Sequence, residues 1–335
     1  MKKKMIVKLL LIIISNFLIM LFIDFKINME YKQFKIKDNL INEKQLKELD
    51  YNNYTFIIIK DNCRICGLFS FFIHYLACIS QFLNLGYIPI IDLCFPNIFN
   101  KFNSKLIKRN PWEFFFNQPY GYSLKDVKIK AKKIKYFKCK SPHTSDSFHQ
   151  IYKNELLLDF YHNLAIKYFP IKNKIIKESY IVQKKLFNGS NNILGILARG
   201  TDYIYKKPRN HPVSPNIKLM FEDIKQMQEF WNYDYFFLAT EDDIIRQKFI
   251  NEFKGKLKIL GNNINIGYNY KKKAFLYQNS KINGNIEYQK NYLINIIILS
   301  KCIDIVTART GGAIGVFILS NGFRNSKVYY LGFYR

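Results

Sequence analysis

The sequence predicts an α/β protein: two units, each a parallel sheet flanked by helices, facing one another across a cleft and preceded by a hydrophobic amino-terminal segment. Three observations predict it. Short runs rich in Ile, Phe, Val and Leu alternate with longer stretches whose apolar residues recur at helical spacing. Strand, turn, helix and strand follow one another repeatedly, which is the pattern of parallel sheets covered on both faces. The chain has 335 residues, enough for one large or two ordinary domains.

The elements follow in order. Residues 2–4 are Lys-Lys-Lys, and residues 9–23 are apolar apart from Ser15 and Asn16. The segment 5–23 lies between a spanning helix, which wants roughly 20 apolar residues, and a signal-peptide core of about 7–15. An uncleaved single-pass signal anchor (residues 1–26, with a cytoplasmic tip) is the preferred reading, which places the body across the membrane. A cleaved signal and an in-plane helix remain open. Residues 27–50 are polar and read as a stem or linker. A strand is expected over 54–59, a turn over 60–67, an apolar helix over 68–85 ended by Gly86, and a strand over 87–92. Residues 110–126 are aromatic and turn-rich, and 127–190 read as mostly helical and Lys-rich. A first domain is thus expected over 51–190.

The second domain, 191–335, alternates more plainly. Strands are expected over 193–198, 235–240, 257–260, 303–307 and 327–331. Helices are expected over 216–231, 242–253, 287–301 and 311–321.

Composition narrows the function. Apolar residues make up 49% and aromatics 17%, which excludes a disordered chain. Six cysteines in this length exclude a small disulfide scaffold. Lys and Arg number 52 against 25 Asp and Glu, a net charge of +27, so anions of any kind are attracted. Lys is spread along the chain together with abundant Asn, Ile, Tyr and Phe, with no basic stripe or nucleic-acid module, so no nucleic-acid partner is expected. Neither GxGxxG nor GxxxxGK[ST] is present, which removes the usual support for a dinucleotide oxidoreductase or a P-loop nucleotidase.

The polar residues that follow the strands carry the functional signal. Ligands of open α/β sheets bind beyond the carboxyl ends of the strands. There the chain places Arg199-Gly200-Thr201-Asp202-Tyr203, then Thr240-Glu241-Asp242-Asp243, then Ala308-Arg309-Thr310-Gly311-Gly312. Arg199 and Arg309 can hold a diphosphate, with amides of Gly311 and Gly312 helping at a helix start. Glu241 and Asp242 can accept hydrogen bonds from a sugar or a base. Blander roles stand beside these: Arg199 paired with Asp202 across a turn, Glu241 and Asp242 as a helix cap, and the glycines as close packing.

The same stretches resemble the donor motifs of the fucosyltransferase superfamily, the α1,2-, α1,6- and protein O-fucosyltransferases. Arg199 to Tyr203 resembles its Arg-rich first motif. Leu238-Ala239-Thr240-Glu241-Asp242 resembles the second, and Asn291 to Gly312, with Arg309-Thr310-Gly311-Gly312, the third. The nearest likeness is to bacterial glycosyltransferases of surface-polysaccharide synthesis. It extends to Lys207-Pro208-Arg209-Asn210-His211-Pro212 and to Asn110-Pro111-Trp112-Glu113, continued by Phe116 and Gln118-Pro119. The resemblance implies two Rossmann-like domains in the GT-B arrangement and a metal-independent, inverting transfer with no cofactor. A nucleotide sugar, GDP-fucose favoured, is the donor and a glycan the acceptor.

Carried over position by position, Arg199 and Asp202 are the catalytic candidates. Arg199, Tyr203, Glu241, Asp242, Arg309, Thr310 and Gly311 bind the donor, and Glu113 and His211 are acceptor-side candidates. Asp202, Glu113 and His211 stay open as the base. Leu197 stands where the family often has a guanine-contacting His, and Asn295 where it has an acid, so the donor base is left open. A catalytically inactive relative that binds glycan or phosphate is the second reading, and a basic protein docked on anionic lipid or polysaccharide the third. Cys63-x-x-Cys66 lacks a second pair for a zinc site. The cluster Trp112, Phe114, Phe115 and Phe116 is expected in the core rather than as a sugar platform.

Overall fold

The computed structural model describes residues 50–61, 67–93, 110–139, 148–260, 268, 270–271, 276, 285–320 and 322–335. The expected anchor, most of the stem, and Cys63 and Cys66 lie outside them. Among the described residues, no helix is long and apolar enough to cross a membrane.

The described residues form two parallel sheets. The first has strands β1 (Thr55–Asp61), β2 (Ile88–Asp92) and β3 (Lys133–Cys139) in the order β2-β1-β3. Helix α1 (Leu68–Asn84) crosses from β1 to β2, and the short α2 (Leu124–Lys130) leads into β3. Two longer helices, α3 (Glu155–Tyr168) and α4 (Asn173–Phe187), link the sheets.

The second sheet has β4 (Ile193–Leu197), β5 (Tyr235–Ala239), β6 (Leu257–Ile259), β7 (Asp304–Ala308) and β8 (Asn325–Tyr329). Their order is β6-β5-β4-β7-β8, all parallel. The helices are α5 (Asp202–Tyr205), α6 (Ile217–Trp231), α7 (Asp243–Glu252), α8 (Ile286–Leu299) and α9 (Gly311–Leu319).

The expectation of mostly helix over 127–190 holds for α3 and α4 and is interrupted by β3. Its sequence, Lys-Ile-Lys-Tyr-Phe-Lys-Cys, has three lysines in seven residues, and among the described residues it pairs with β1 alone. Lys133, Lys135 and Lys138 are exposed. Lysines on an open edge discourage pairing with another chain and also hide the apolar signature of a strand.

Packing follows from alternation. In β4, Leu194 and Ile196 join the cluster under α6 and α7, with Phe236, Leu238, Ile224 and Phe249. Ile193 and Leu197 face the other way, into a larger cluster with Phe237, Ile305 and the apolar residues of α8. That larger cluster does not stop at the second sheet. It continues through α9 into Phe69, Phe72 and Leu76 of α1 and Leu164 of α3. Helix α9 is apolar all round, as a helix enclosed by neighbours must be. Gly315 permits the contact, because a Cβ there would lie 2.1 Å from the Phe69 ring.

Candidate functional site

Register places the site. Leu197 of β4 pairs with Ala239 of β5 on one side and with Thr307 of β7 on the other. Arg199, Glu241 and Arg309 each stand two residues further on. The three loops therefore emerge side by side from one edge of the sheet. After β4 the chain runs outward through β5 and β6, then returns to β7 on the opposite side of β4. The break between β4 and β7 is a topological switch point, the place where open α/β sheets bind their ligands.

The first loop is locked from beneath. Arg199 pairs with Asp202 at 2.9 Å and with Glu241 at 3.3 Å, and its guanidinium lies over the Tyr203 ring at 5.0 Å. The Gly200 N–H donates to Glu241 Oε1 at 2.9 Å and the Thr201 N–H to Asp242 Oδ2 at 2.8 Å. The Thr201 hydroxyl donates to Glu241 at 3.0 Å and lies 3.2 Å from Asp202 Oδ1. Asp202 Oδ2 accepts from the Leu276 N–H at 3.2 Å. Gly200 is required here, since a Cβ would meet the Asp242 carboxylate at 2.4 Å. Thr201 is fully buried and has φ 44° and ψ −118°, a rare conformation for a β-branched residue. Asp242 also caps α7, accepting from the N–H groups of Ile244 and Ile245 at 2.9 and 3.0 Å, and receives the Tyr270 hydroxyl at 3.3 Å.

Glu241 and Asp242 thus clamp the Arg199 loop, and Asp242 is a helix cap as well. Asp202 is equally committed. The electrostatics agree. Burial disfavours the charged Arg199, but Glu241 and then Asp202 outweigh it and hold the group more basic than an ordinary arginine. Burial raises the Tyr203 hydroxyl to about 12, and it also raises Tyr288 and Tyr292 on α8.

The third loop is built differently. Thr310 caps α9 with its hydroxyl, which accepts from the Ala313 N–H at 3.2 Å. Gly311 lies 3.7 Å from Ser70 and 3.9 Å from Ile73 of α1 when a Cβ is placed on it, so it is in ordinary contact range. Arg309 has no carboxylate partner among the described residues, and its buried Nε makes no hydrogen bond. Its guanidinium lies over Tyr330 at 4.9 Å and over Phe333 at 4.8 Å.

The segment that supplies those rings was not singled out by the sequence. It follows β8 and folds back over the loop 207–213. The Asn210 N–H donates to Tyr334 O and the Tyr334 N–H to His211 O, both at 2.9 Å; the Val213 N–H donates to Gly332 O at 3.0 Å. His211 sits in this turn, with Nδ1 3.1 Å from Arg209 O and its ring edge-on to Tyr203 at 5.3 Å.

Glu113 is placed against the first sheet. Its Oε1 accepts from the Leu124 N–H at 2.9 Å and from the Gln118 amide at 3.1 Å. Around it, Asn110 and Gln118 extend the hydrogen bonding of β2. Gln118 exchanges two bonds with Ile91 at 2.7 and 2.8 Å, and Asn110 donates to Ile91 O at 2.6 Å. Trp112 is fully buried and stacks on Phe116 at 4.4 Å, so this motif builds the core of the first unit. Asn295 donates to Asn291 O at 3.0 Å, within α8.

No protein-family model matches the sequence, and no curated protein matches it. Among solved structures the chain is similar to the NodZ α-1,6-fucosyltransferase co-crystallized with GDP, at 12% identity and a TM-score of 0.43, over 79% of this chain and 93% of that one. It is similar to fucosyltransferase NodZ from Bradyrhizobium, at 11% identity and a TM-score of 0.48, with the same coverage of 79% and 93%. It is also similar to POFUT1 in complex with GDP-fucose, at 8% identity and a TM-score of 0.48, over 82% and 98% of the two chains.

Proposed function

We propose that this chain is a glycosyltransferase of the GT-B arrangement, most simply a fucosyltransferase, that uses a nucleotide-diphosphate sugar, GDP-fucose favoured, and a glycan acceptor. One observation carries the reading. The three sequence stretches that resemble donor motifs are far apart in the chain, yet register sets them side by side beyond β4, β5 and β7, at the switch point. A diphosphate there meets two arginines, and the sugar lies over the loop from Arg199 to Tyr203.

The chemistry is direct displacement. The acceptor hydroxyl oxygen forms a bond to the anomeric carbon as that carbon's bond to the phosphate oxygen breaks. The bonding pair leaves with the nucleoside diphosphate, and the hydroxyl proton passes to a base or to solvent. Fixed positive charge beside the departing phosphates stabilises the charge that develops there. Arg199 and Arg309 are the groups placed to supply it: aromatic rings hold Arg309, and the Asp202 and Glu241 carboxylates that hold Arg199 offset part of its charge.

We place the body across a membrane from its amino terminus, held by residues 5–23. Cys78 of α1 is disulfide-bonded, which suits an oxidising compartment.

A second reading, a relative that binds glycan or phosphate without turnover, is favoured by one feature: the Asp202 and Glu241 carboxylates offset the charge of Arg199 and so weaken its hold on a departing diphosphate. Release of nucleoside diphosphate from GDP-fucose by the full chain, with and without a panel of glycan acceptors, separates the two. Acceptor-dependent release is expected. Saturable binding with no release from any sugar nucleotide assigns the chain to the inactive class.

A further inference from the structure

We propose that the outer face of helix α4 (Asn173–Phe187) docks on the surface of an anionic phospholipid bilayer. The docking face is independent of the sugar-nucleotide site, because none of its residues belongs to the loops after β4, β5 and β7.

Helix α4 has more apolar surface than its packing uses. Ile175 and Phe187 are buried, and Val182 and Leu186 pack beside them in the cluster shared by both sheets. That stripe seats the helix against α8. Three further large side chains point the other way: Ile176, Tyr180 and Ile181 are 41%, 64% and 66% exposed. They fall at i, i+4 and i+5 and so form one patch on the helix surface. A single exposed apolar residue needs no explanation, but a set of them beside a satisfied inward stripe marks a surface that meets something apolar.

Charge names the partner. Lys174, Lys177, Lys184 and Lys185 are exposed on the same helix and flank the patch along its length. No acid competes with them. Glu178, the one acid of α4, is half-buried and pairs with Lys290 of α8 at 2.8 Å, and Lys290 also holds Glu287 at 2.8 Å. The basic composition of the chain does not by itself produce such a face. The exposed sides of α3 and α6 also carry apolar residues and lysines, but with Glu155 and Asp159 on one and Glu222 and Glu229 on the other. Lysines in a last turn favour the helix dipole, which accounts for Lys184 and Lys185 but not for Lys174, Lys177 or the patch.

A second copy of this face would set lysines against lysines. A polyanion without apolar surface would leave Ile176, Tyr180 and Ile181 in water. A bilayer with anionic headgroups meets both demands. Its phosphates take the ammonium groups at the ends of flexible stems, while the isoleucines enter the headgroup boundary. Tyr180 suits that boundary, with an apolar ring and a hydroxyl that stays wet. The helix lies flat in this arrangement, its four lysines spread over about 16 Å of axis. Each lysine near such a surface brings roughly a fivefold gain in affinity.

Reconstitution of the full chain into vesicles tests this. Tyr180→Trp places a reporter in the patch. The native tryptophans are Trp112, which is buried, and Trp231, which lies against Arg324, so the unsubstituted protein supplies the background. In vesicles of brominated phosphatidylcholine and phosphatidylglycerol, fluorescence of the reporter should be quenched well beyond that background. Omitting phosphatidylglycerol or raising the salt should return it to background. Replacing Lys174, Lys177, Lys184 and Lys185 together by Gln should do the same, a loss on the order of several hundred-fold in affinity for the surface. Ile181→Asn should weaken the quenching with all four lysines present. These side chains are exposed, so melting temperature and GDP-fucose titration should stay native in every variant. Absence of quenching beyond background in anionic vesicles, in folded protein, would overturn the proposal. Quenching as strong without phosphatidylglycerol would overturn it in favour of neutral lipid. A reporter shielded in a sedimenting dimer would assign the face to a second copy, and one that answers dextran sulfate but not vesicles to an acidic polysaccharide; either would overturn it.

Discussion

Thr201 carries more of the site's geometry than its chemistry suggests. A threonine at φ 44° opposes its own branched side chain, at a cost of order 1–3 kcal/mol. Three contacts compensate: its N–H to Asp242 and its hydroxyl against Glu241 and Asp202. Thr201→Val keeps the strain and deletes the hydroxyl, and should lower stability by about 2 kcal/mol, the worth of a buried bond to a charged group. Thr201→Gly also loses the hydroxyl but removes the strain, so thermal denaturation should rank it above Thr201→Val. The reverse order would mean that the backbone there is relaxed. Nothing in the sequence marks this residue, because a threonine in a loop gives no sign of a left-handed φ. Glu241 and Asp242 were legible as acids at a strand end, but not as a clamp. Their partners, Gly200 and Thr201, sit some 40 positions away, where local spacing carries no information.

At the scale of elements, strand ends and register explain why the shared edge of the three loops was readable. Once the strands are parallel, polar residues after β4, β5 and β7 must share one edge. The structure supplies the one thing that alternation cannot, which is the order β6-β5-β4-β7-β8 and hence the switch point. Two elements escaped the sequence for physical reasons. Strand β3 reads as polar because its exposed lysines interrupt the apolar pattern. The segment after β8 gives no motif because its aromatic rings act on Arg309 across the fold. Among the glycines after β7, Gly315 has the tightest packing demand. Gly315→Ala places a methyl within the Phe69 ring and should cost about 1–3 kcal/mol by overpacking. Denaturant unfolding of Gly315→Ala alone and combined with Phe69→Leu checks it: the smaller side chain should recover part of the loss, and strict additivity would show that the two do not touch.

Across the whole molecule, one apolar cluster binds both sheets through α1, α3, α8 and α9. The expected boundary near residue 190 is therefore a boundary between sheets that share a core. Alkaline unfolding reads this continuity. Burial raises Tyr122 beside the first sheet to about 12, and likewise Tyr203 and Tyr268 near the second. A tyrosine of the unfolded chain ionises near 10. Between these values the unfolded state releases protons that the folded state retains, so stability is held below pH of about 10 and lost as pH rises toward about 12. The phenolate absorbance of the buried group should therefore appear in a single step with loss of circular dichroism. Two separated steps would show that the sheets unfold independently.

The central claim is that the edge formed by the loops after β4, β5 and β7 is a nucleotide-diphosphate-sugar site. Its most direct test is calorimetric titration of the full chain with GDP-fucose, GDP-mannose and UDP- and dTDP-sugars. The account predicts saturable binding of at least one of them, GDP-fucose foremost, with competition by pyrophosphate. Absence of binding by every donor, in protein shown to be folded, would contradict it.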